Sequence, residues 1–541
     1  MDILRNPILN KDLGFTLEER QALGIDGFLP AAVETIEQQV DRAYEQMSTY
    51  CHTPLEKYMY LRQLQDNNET LFFALAAAHT LECLPLVYTP TVGEACVKWS
   101  MIWPGKARGL YINKNHRGKI ADILDRWAAC HPEVKIIVLS DGSRILGLGD
   151  IGANGMGIPV GKLNLYTVGA GVNPANVLPV LIDTGCTKEE VYNHPRYVGQ
   201  RISKLRGDDF YGLIDEFLMA ADARWPGVIQ QFEDFSNDSC FTLLENYRNR
   251  ICCFNDDVQG TGAVINAGVI NAVRAAGRKL VDERIVFFGA GSAAVGVADC
   301  IADTMVRQYG ITIDEARRRF YLFDSEGLVT KSRQGRPLAS HKLPYARESV
   351  ERECKTLIEV VEMVKPTMLV GLGTIPGVFN EEVVRRVAEF VDRPIIMALS
   401  NPTSKMECFA AQAYEWTDGR CIFASGSPQP SFEWKGKTYH PGQGNNMYIF
   451  PALGLGLLLA KAKKCSDNVL YAVAARLAEI TPQENLDAGN MYPSLANIRE
   501  ISAELAVTVM KTVFEEGNSG LESLPENLLE FVKSHQWQAK Y

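Results

Sequence analysis

The chain predicts an α/β fold built on parallel sheet, with helical segments at both ends. Short β-rich runs alternate with helical stretches in two series, one from about Tyr111 and one from Arg284. The second series opens on a strand that runs straight into a glycine turn, and the first and last parts of the chain carry apolar residues at helical spacing. Strands alternating with helices imply parallel sheets with helices on both faces. At 541 residues the chain exceeds one ordinary core, so two or more domains are expected.

The elements follow in order. Thr53-Pro54-Leu55-Glu56 is a helix start, with a Thr N-cap, Pro at the first helical position and Glu three residues on. Tyr58, Leu61 and Leu64 then recur at helical spacing, and 70–81 forms a second apolar segment. Residues 135–139 make a short β-rich run closed by the turn signal Asp141-Gly142. Further strands are predicted at 178–182 and 228–232, then at 285–288, 320–323, 368–370 and 395–399. Residues 448–460 are very apolar but fall short of the roughly 20 that a membrane helix needs. They include Pro451 and two glycines, and read as a buried helix.

Composition narrows the function classes. With 46% apolar and 22% charged residues the chain is a folded globular protein. A formal charge of −10 disfavours a nucleic-acid or anionic-membrane partner, since those surfaces select basic patches. None of the 13 cysteines falls in a CxxC pair, no zinc-type spacing is visible, and residues 1–14 lack a basic region followed by a long apolar stretch. Reduced thiols in an intracellular compartment are expected.

Ile285-Val286-Phe287-Phe288 leads into Gly289-Ala290-Gly291-Ser292-Ala293-Ala294, a strand, a G-x-G-x-x-A turn and a helix. The first glycine permits the tight turn, the second lets backbone approach a pyrophosphate, and the small third residue lets helix and strand pack closely. The helix N-terminus then offers N–H groups to phosphates. The strand at 320–323 ends in Asp324, where an acid could hold an adenosine ribose. Asp324 lies 33 residues past Gly291, against a usual interval of about 20; an extra turn within 311–318 accounts for the excess. The alternatives are a glycine turn in some other α/β domain and a surface-loop aspartate.

The run 228–232 leads into Glu233-Asp234, and Phe254-Asn255 precedes Asp256-Asp257. Four such carboxylates at one rim repel each other unless they bind a cation, share protons or face a lysine. Oxygen-only ligands suit magnesium or manganese. Adjacent residues of an ideal strand point to opposite faces, so Glu233 and Asp234 can share one ion only if the strand has ended there. Solvated loop acids are the alternative.

Lys162 stands among small and apolar residues in Gly161-Lys162-Leu163. Met156 and Leu163 occupy the positions where a phosphate loop requires Gly and Ser or Thr, so that reading fails. Apolar surroundings disfavour a charged amine and suit a general base, although a snorkelling lysine is the commoner outcome. Arg144 could clamp a carboxylate or be merely structural. Tyr88, Asn401, Asn445 and Asn446, taken singly, read as core or turn residues.

Taken together these segments resemble the malic enzyme family, from about Leu13 to the C-terminal helices. The resemblance rests on Tyr88-Thr89-Pro90-Thr91-Val92-Gly93, on Asp141-Gly142-Ser143-Arg144-Ile145-Leu146-Gly147-Leu148-Gly149-Asp150 and on Gly161-Lys162-Leu163. It continues through Gln231-Phe232-Glu233-Asp234-Phe235, Phe254-Asn255-Asp256-Asp257-Val258-Gln259-Gly260-Thr261, Leu399-Ser400-Asn401-Pro402-Thr403 and Gly442-Gln443-Gly444-Asn445-Asn446. It implies oxidative decarboxylation of L-malate to pyruvate and carbon dioxide. Glu233, Asp234 and Asp257 are implied as ligands of Mg²⁺ or Mn²⁺, Lys162 as general base with Asp256 beside it, and Tyr88 as general acid. Arg144 is implied to grip the substrate C1 carboxylate. Asn401 and one of Asn445 or Asn446 match substrate- and nicotinamide-side positions. The implied fold is a helical N-terminal domain (1–108), a central catalytic α/β domain (109–256 and 445–541) and an inserted NAD(P)-binding Rossmann-like domain (257–444). Family members are commonly homotetramers built as dimers of dimers, with a homodimer as the alternative; a cytoplasmic location is expected, with mitochondrial second.

Two positions depart from family patterns. Asn67 stands where fumarate-activated mitochondrial members carry arginine, which argues against fumarate activation here. After Asp324 come Ser325 and Glu326; the serine resembles NADP-preferring members, whereas Glu326 would repel a 2′-phosphate that Lys331 and Arg333 could receive. NADP is expected ahead of NAD. The competing readings are a malolactic-type enzyme that converts malate to lactate, another oxidoreductase on this nucleotide fold, and a catalytically inactive metabolite-binding regulator.

Overall fold

The computed structural model describes residues 2–103, 105–334, 337–348, 350 and 352–541. The chain divides into two compact units, the first holding residues 1–235, 498–503 and 525–541, and the second 236–497 and 504–524.

In the first unit the predicted helix start at Thr53 forms in full. Thr53 accepts from the Glu56 N–H, Glu56 reaches back to the Thr53 N–H, and the helix runs Pro54–Asn67. Such a cap is worth about 1 kcal/mol. Helices Glu69–Ala78, Thr80–Val87 and Thr91–Val97 follow. Four strands then form parallel sheet: β1 (Leu110–Asn113), β2 (Ile136–Ser140), β3 (Val177–Asp183) and β4 (Ile229–Phe232), in the order β1-β3-β2-β4. β2 and β4 are buried at every position, as expected for parallel strands covered on both faces. Helix Gly157–Ala170 is buried along its whole length.

The second unit contributes β5 (Cys253–Asn255) and a larger sheet of β6 (Ile285–Phe288), β7 (Phe320–Asp324), β8 (Gly327–Leu328), β9 (Met368–Gly371), β10 (Ile395–Ala398), β11 (Ile422–Ser425) and β14 (Gly442–Gln443). A separate hairpin pairs β12 (Phe432–Trp434) with β13 (Lys437–Tyr439). The large sheet runs β14-β11-β10-β9-β6-β7-β8, parallel except for the β7–β8 pair. From β6 the chain builds outward through β7 and β8, then crosses to β9 on the other side. The order therefore reverses between β6 and β9, and ligands of such sheets bind at the strands' carboxyl ends beside that switch. The extra turn within 311–318 is the helix Ile313–Arg317, capped by Thr312. Residues 448–460 contain the buried helix Phe450–Leu459. Among the described residues no helix is long and apolar enough to cross a membrane, and all 13 cysteines are free.

Candidate functional site

In the first unit the amine of Lys162 is the centre of a small, buried cluster. The residue is 1% exposed; its Nζ lies 2.9 Å from Glu233 Oε1 and 5.1 Å from the centre of the Tyr88 ring. The Tyr88 hydroxyl donates to the same Glu233 oxygen at 3.4 Å. Gly161 explains how the ring comes so near: a Cβ there would meet both Tyr88 Cδ2 and the Val87 carbonyl oxygen at 2.9 Å. Glu233 is further held by Gln231, whose Nε2 donates to Oε2 at 2.8 Å, while the Tyr166 hydroxyl donates to Gln231 Oε1 at 2.6 Å.

The question of how two neighbouring acids could face one ion has a local answer. β4 ends at Phe232, and Asp234 adopts φ +56°. This left-handed conformation is uncommon outside glycine, with aspartate among the residues that tolerate it best. The alternation of the strand is broken, and Glu233 and Asp234, both buried, each offer an oxygen within 4.8 Å of the other. The Asp234 carbonyl accepts from the Arg144 N–H at 3.0 Å, which ties the arginine's turn to the acids. Gly142 at φ +67° makes that turn, and a Cβ there would sit 2.0 Å from the Gly152 carbonyl oxygen. Arg144 itself is half-buried.

In the second unit β5 delivers Asp256 and Asp257 onto a π-helical turn, Asp256–Gly260, that continues as helix Thr261–Ala276. Asp256 is fully buried. Asn446 Nδ2 donates to Asp256 Oδ2 and to Thr261 Oγ1, each at 2.9 Å, whereas the Asn445 side chain caps its own turn through the Met447 N–H. The two asparagines thus have different work, and Asn446 is the one tied to an acid.

The glycine turn after β6 has the form its sequence predicts. Gly289 has φ +115°, and a Cβ there would strike the Leu372 backbone at 2.7 Å. Gly291 precedes helix Ser292–Tyr309, on which Ala293 and Ala294 occupy the first turn. Ser292 donates its N–H and hydroxyl to Asn237 Oδ1 at 3.1 and 2.6 Å. Asn401 Oδ1 accepts from the Ser427 hydroxyl at 2.6 Å.

At the end of β7, Asp324 meets two cations. Arg333 grips it through two hydrogen bonds of 2.7 and 3.0 Å, and Lys342 adds a third of 2.7 Å. Burial alone would raise this carboxyl, but the hydrogen bonds from Arg333 and Lys342 outweigh it and hold the pKa at about 2. Ser325 is exposed beside it. Lys331 points elsewhere and pairs with Glu348 at the surface. Sequence reasoning missed Lys342, Gln231, Tyr166 and Asn237. Tyr166 carried a signal, since it lies one helical turn after Lys162 on the same face.

Residues 65–248 match the malic enzyme N-terminal domain and residues 258–514 the malic enzyme NAD-binding domain. The chain is 49% identical over 539 residues to the NADP-dependent malic enzyme of Dictyostelium discoideum, covering 100% of this chain and 98% of that protein. It is 42% identical over 544 residues to the NAD-dependent malic enzyme of Acinetobacter baylyi, covering 100% and 95%. The fold is shared with the crystal structure of Entamoeba histolytica malic enzyme, at TM-score 0.60 and 21% identity over 95% of this chain and 91% of the other. A likeness that spans both units, end to end and at this identity, means that the chain belongs to the malic enzyme family of oxidoreductases.

Proposed function

We propose that the enzyme oxidises L-malate to pyruvate and carbon dioxide, with NADP as acceptor and a divalent cation bound. The observation that carries this is the Lys162 amine, sealed from water, 2.9 Å from Glu233 and set over the Tyr88 ring. Glu233 and Asp234 fit a hard cation as buried oxygen donors, and Asp257 is taken as the third ligand from the family resemblance. When bound, Mg²⁺ or Mn²⁺ supplies a Lewis acid and the nicotinamide a hydride acceptor. Arg144 holds the C1 carboxylate, and Lys162 takes the proton of the C2 hydroxyl as malate is oxidised. Asp256 is taken from the family resemblance as the residue that orients the base. After the C4 carboxylate has left as carbon dioxide, Tyr88 gives a proton to C3 of the enol.

NADP is favoured by the charge around Asp324. Two cations, Arg333 and Lys342, face the Asp324 carboxylate; they supply donors for a 2′-phosphate against the nearby Glu326 and engage the acid that NAD would need for its ribose hydroxyl. The relatives' names include both cofactors, so the charge pattern is what supports NADP. Assembly as a homotetramer, with a homodimer as the alternative, is proposed from the family resemblance, and a cytoplasmic location, with mitochondrial second, from the cysteine usage.

The test follows the absorbance of reduced nicotinamide with malate, each cofactor, and manganese added or chelated. Reduction with pyruvate formation, dependent on manganese and faster by kcat/KM with NADP, is expected. Lactate without net reduction would make the protein a malolactic-type enzyme, and a strong NAD preference would reverse the cofactor assignment.

A further inference from the structure

Glu407 is a fully buried acid in the second unit that the proposed chemistry does not use. Its Oε1 accepts from the Ser400 hydroxyl at 2.5 Å and from the Gly373 N–H at 3.3 Å, and its Oε2 accepts from the Ser400 N–H at 3.3 Å. The Ser400 oxygen in turn accepts from the Thr374 N–H at 2.9 Å. Burial pushes the carboxyl's pKa up, and the groups that oppose this are a hydroxyl and backbone N–H groups, with no cation among them. Burying an acid on neutral donors alone is costly, so the position calls for a reason.

The reason lies in what the carboxylate joins. Gly371 and Ala398 end the neighbouring parallel strands β9 and β10, and the two loops that follow hold Gly373, Thr374 and Ser400. Glu407 and Ser400 lace these loops together at the carboxyl edge of the sheet. Gly371 makes room for the carboxyl, since a Cβ there would come within 2.4 Å of Glu407 Cδ. Gly373 also backs the nucleotide turn, its nitrogen 2.9 Å from where a Gly289 Cβ would lie. Thr374 is held at φ +56°, a strained state that persists only when its surroundings fix it. Asn401 follows Ser400 directly.

We infer that Glu407 is a positioning residue for the nicotinamide half of the cofactor. It sets the loops 371–374 and 399–401 in register, so that Thr374 and Asn401 present a preformed edge to that ring. The inference rests on the dinucleotide reading above.

Direct binding to the purified full-length enzyme, without turnover, tests it. NADPH and the adenine-side fragment adenosine 2′,5′-bisphosphate are titrated into wild type, Glu407→Gln, Ser400→Ala and the double variant. Glu407→Gln keeps the volume but turns a donor toward a backbone N–H. Loss of about tenfold in NADPH affinity, about 1.4 kcal/mol, is expected from the unpaired buried group, with fragment affinity unchanged. Because the two side chains act as one unit, the double variant should lose no more than the weaker single variant. Equal loss for fragment and whole cofactor, additive losses, or unaltered NADPH binding overturns the inference. If Glu407→Gln does not fold, Ser400→Ala decides by the same comparison. Wild type that binds neither NADPH nor NADH defeats the proposed function itself, before any variant is compared.

Discussion

Lys162 is withdrawn from solvent on folding, and the Glu233 carboxylate and the face of the Tyr88 ring are among the groups that receive it. Removing the amine therefore removes the only proposed acceptor for the substrate hydroxyl proton. Lys162→Ala should lower malate oxidation by about a thousandfold, within the range of a lost general base. Tyr88→Phe should leave that step nearly intact and slow the ketonisation of enolpyruvate by about a hundredfold. Single-turnover cofactor reduction, read beside pyruvate release, separates the two; parallel losses at both steps would dissolve this division of labour. Asp324 offers a test without substrate. Its pKa is held at about 2, below the value near 3.9 of an unfolded aspartate. A depressed carboxyl stabilises the fold above its unfolded pKa, and that contribution fades as pH falls toward the folded value. In the enzyme without nucleotide, Asp324→Asn should cost about 2 kcal/mol at neutral pH. Denaturant titrations should show this gap narrowing as pH drops from about 4 toward 2.

At the level of elements, one glycine governs the meeting of a helix with a tyrosine. A methyl group at Gly161 would press on the Val87 carbonyl as well as on the Tyr88 ring. Flexible side chains can move aside, but a backbone oxygen at a helix end cannot move far. Gly161→Ala should cost about 1–3 kcal/mol in a denaturant melt, and should lower activity further by displacing the ring from Lys162. Full activity at wild-type stability would mean that the ring's placement is unimportant. Such close approaches explain what the sequence could tell. Strands β2, β3, β6, β7, β9 and β10 were legible because parallel strands buried on both faces read as largely apolar runs, and β4 from the apolar residues that flank Gln230 and Gln231. The cap at Thr53 was legible because its chemistry is confined to four residues. β1, β8, β11 and β14 were not singled out; β8 and β14 are two residues each, too short for any period to show. The acids at 233 and 234 were visible, but the turn that makes them share a side depends on φ at Asp234, which no pattern announces. Lys342 reaches Asp324 across 18 residues of chain, without a period to connect them.

For the whole molecule, the two units carry different parts of the proposed chemistry, and ligands should report on each. The first contains Tyr88, Arg144, Lys162, Glu233 and Asp234; the second contains Asp256, Asp257, Asn401, Asn446 and the nucleotide turn. A ligand stabilises whatever native structure binds it, by about 2.7 kcal/mol at a hundred times its dissociation constant. Local opening in the absence of ligand is governed by how much each segment is tied down. NADP alone should therefore slow amide hydrogen exchange in the second unit at 289–294, 371–374 and 399–401. It should leave the helix Gly157–Ala170 of the first unit as it was, because that helix is buried throughout and already protected. Manganese with malate should protect 142–144 and 233–235 of the first unit, where the backbone turns at Gly142 and Asp234 rather than resting in a helix or strand, and the turn that holds Asp257 in the second. Exchange read by mass spectrometry would discriminate. Protection by NADP at 142–144, with none at 289–294, would mean that the glycine turn is architecture and that the nucleotide binds elsewhere.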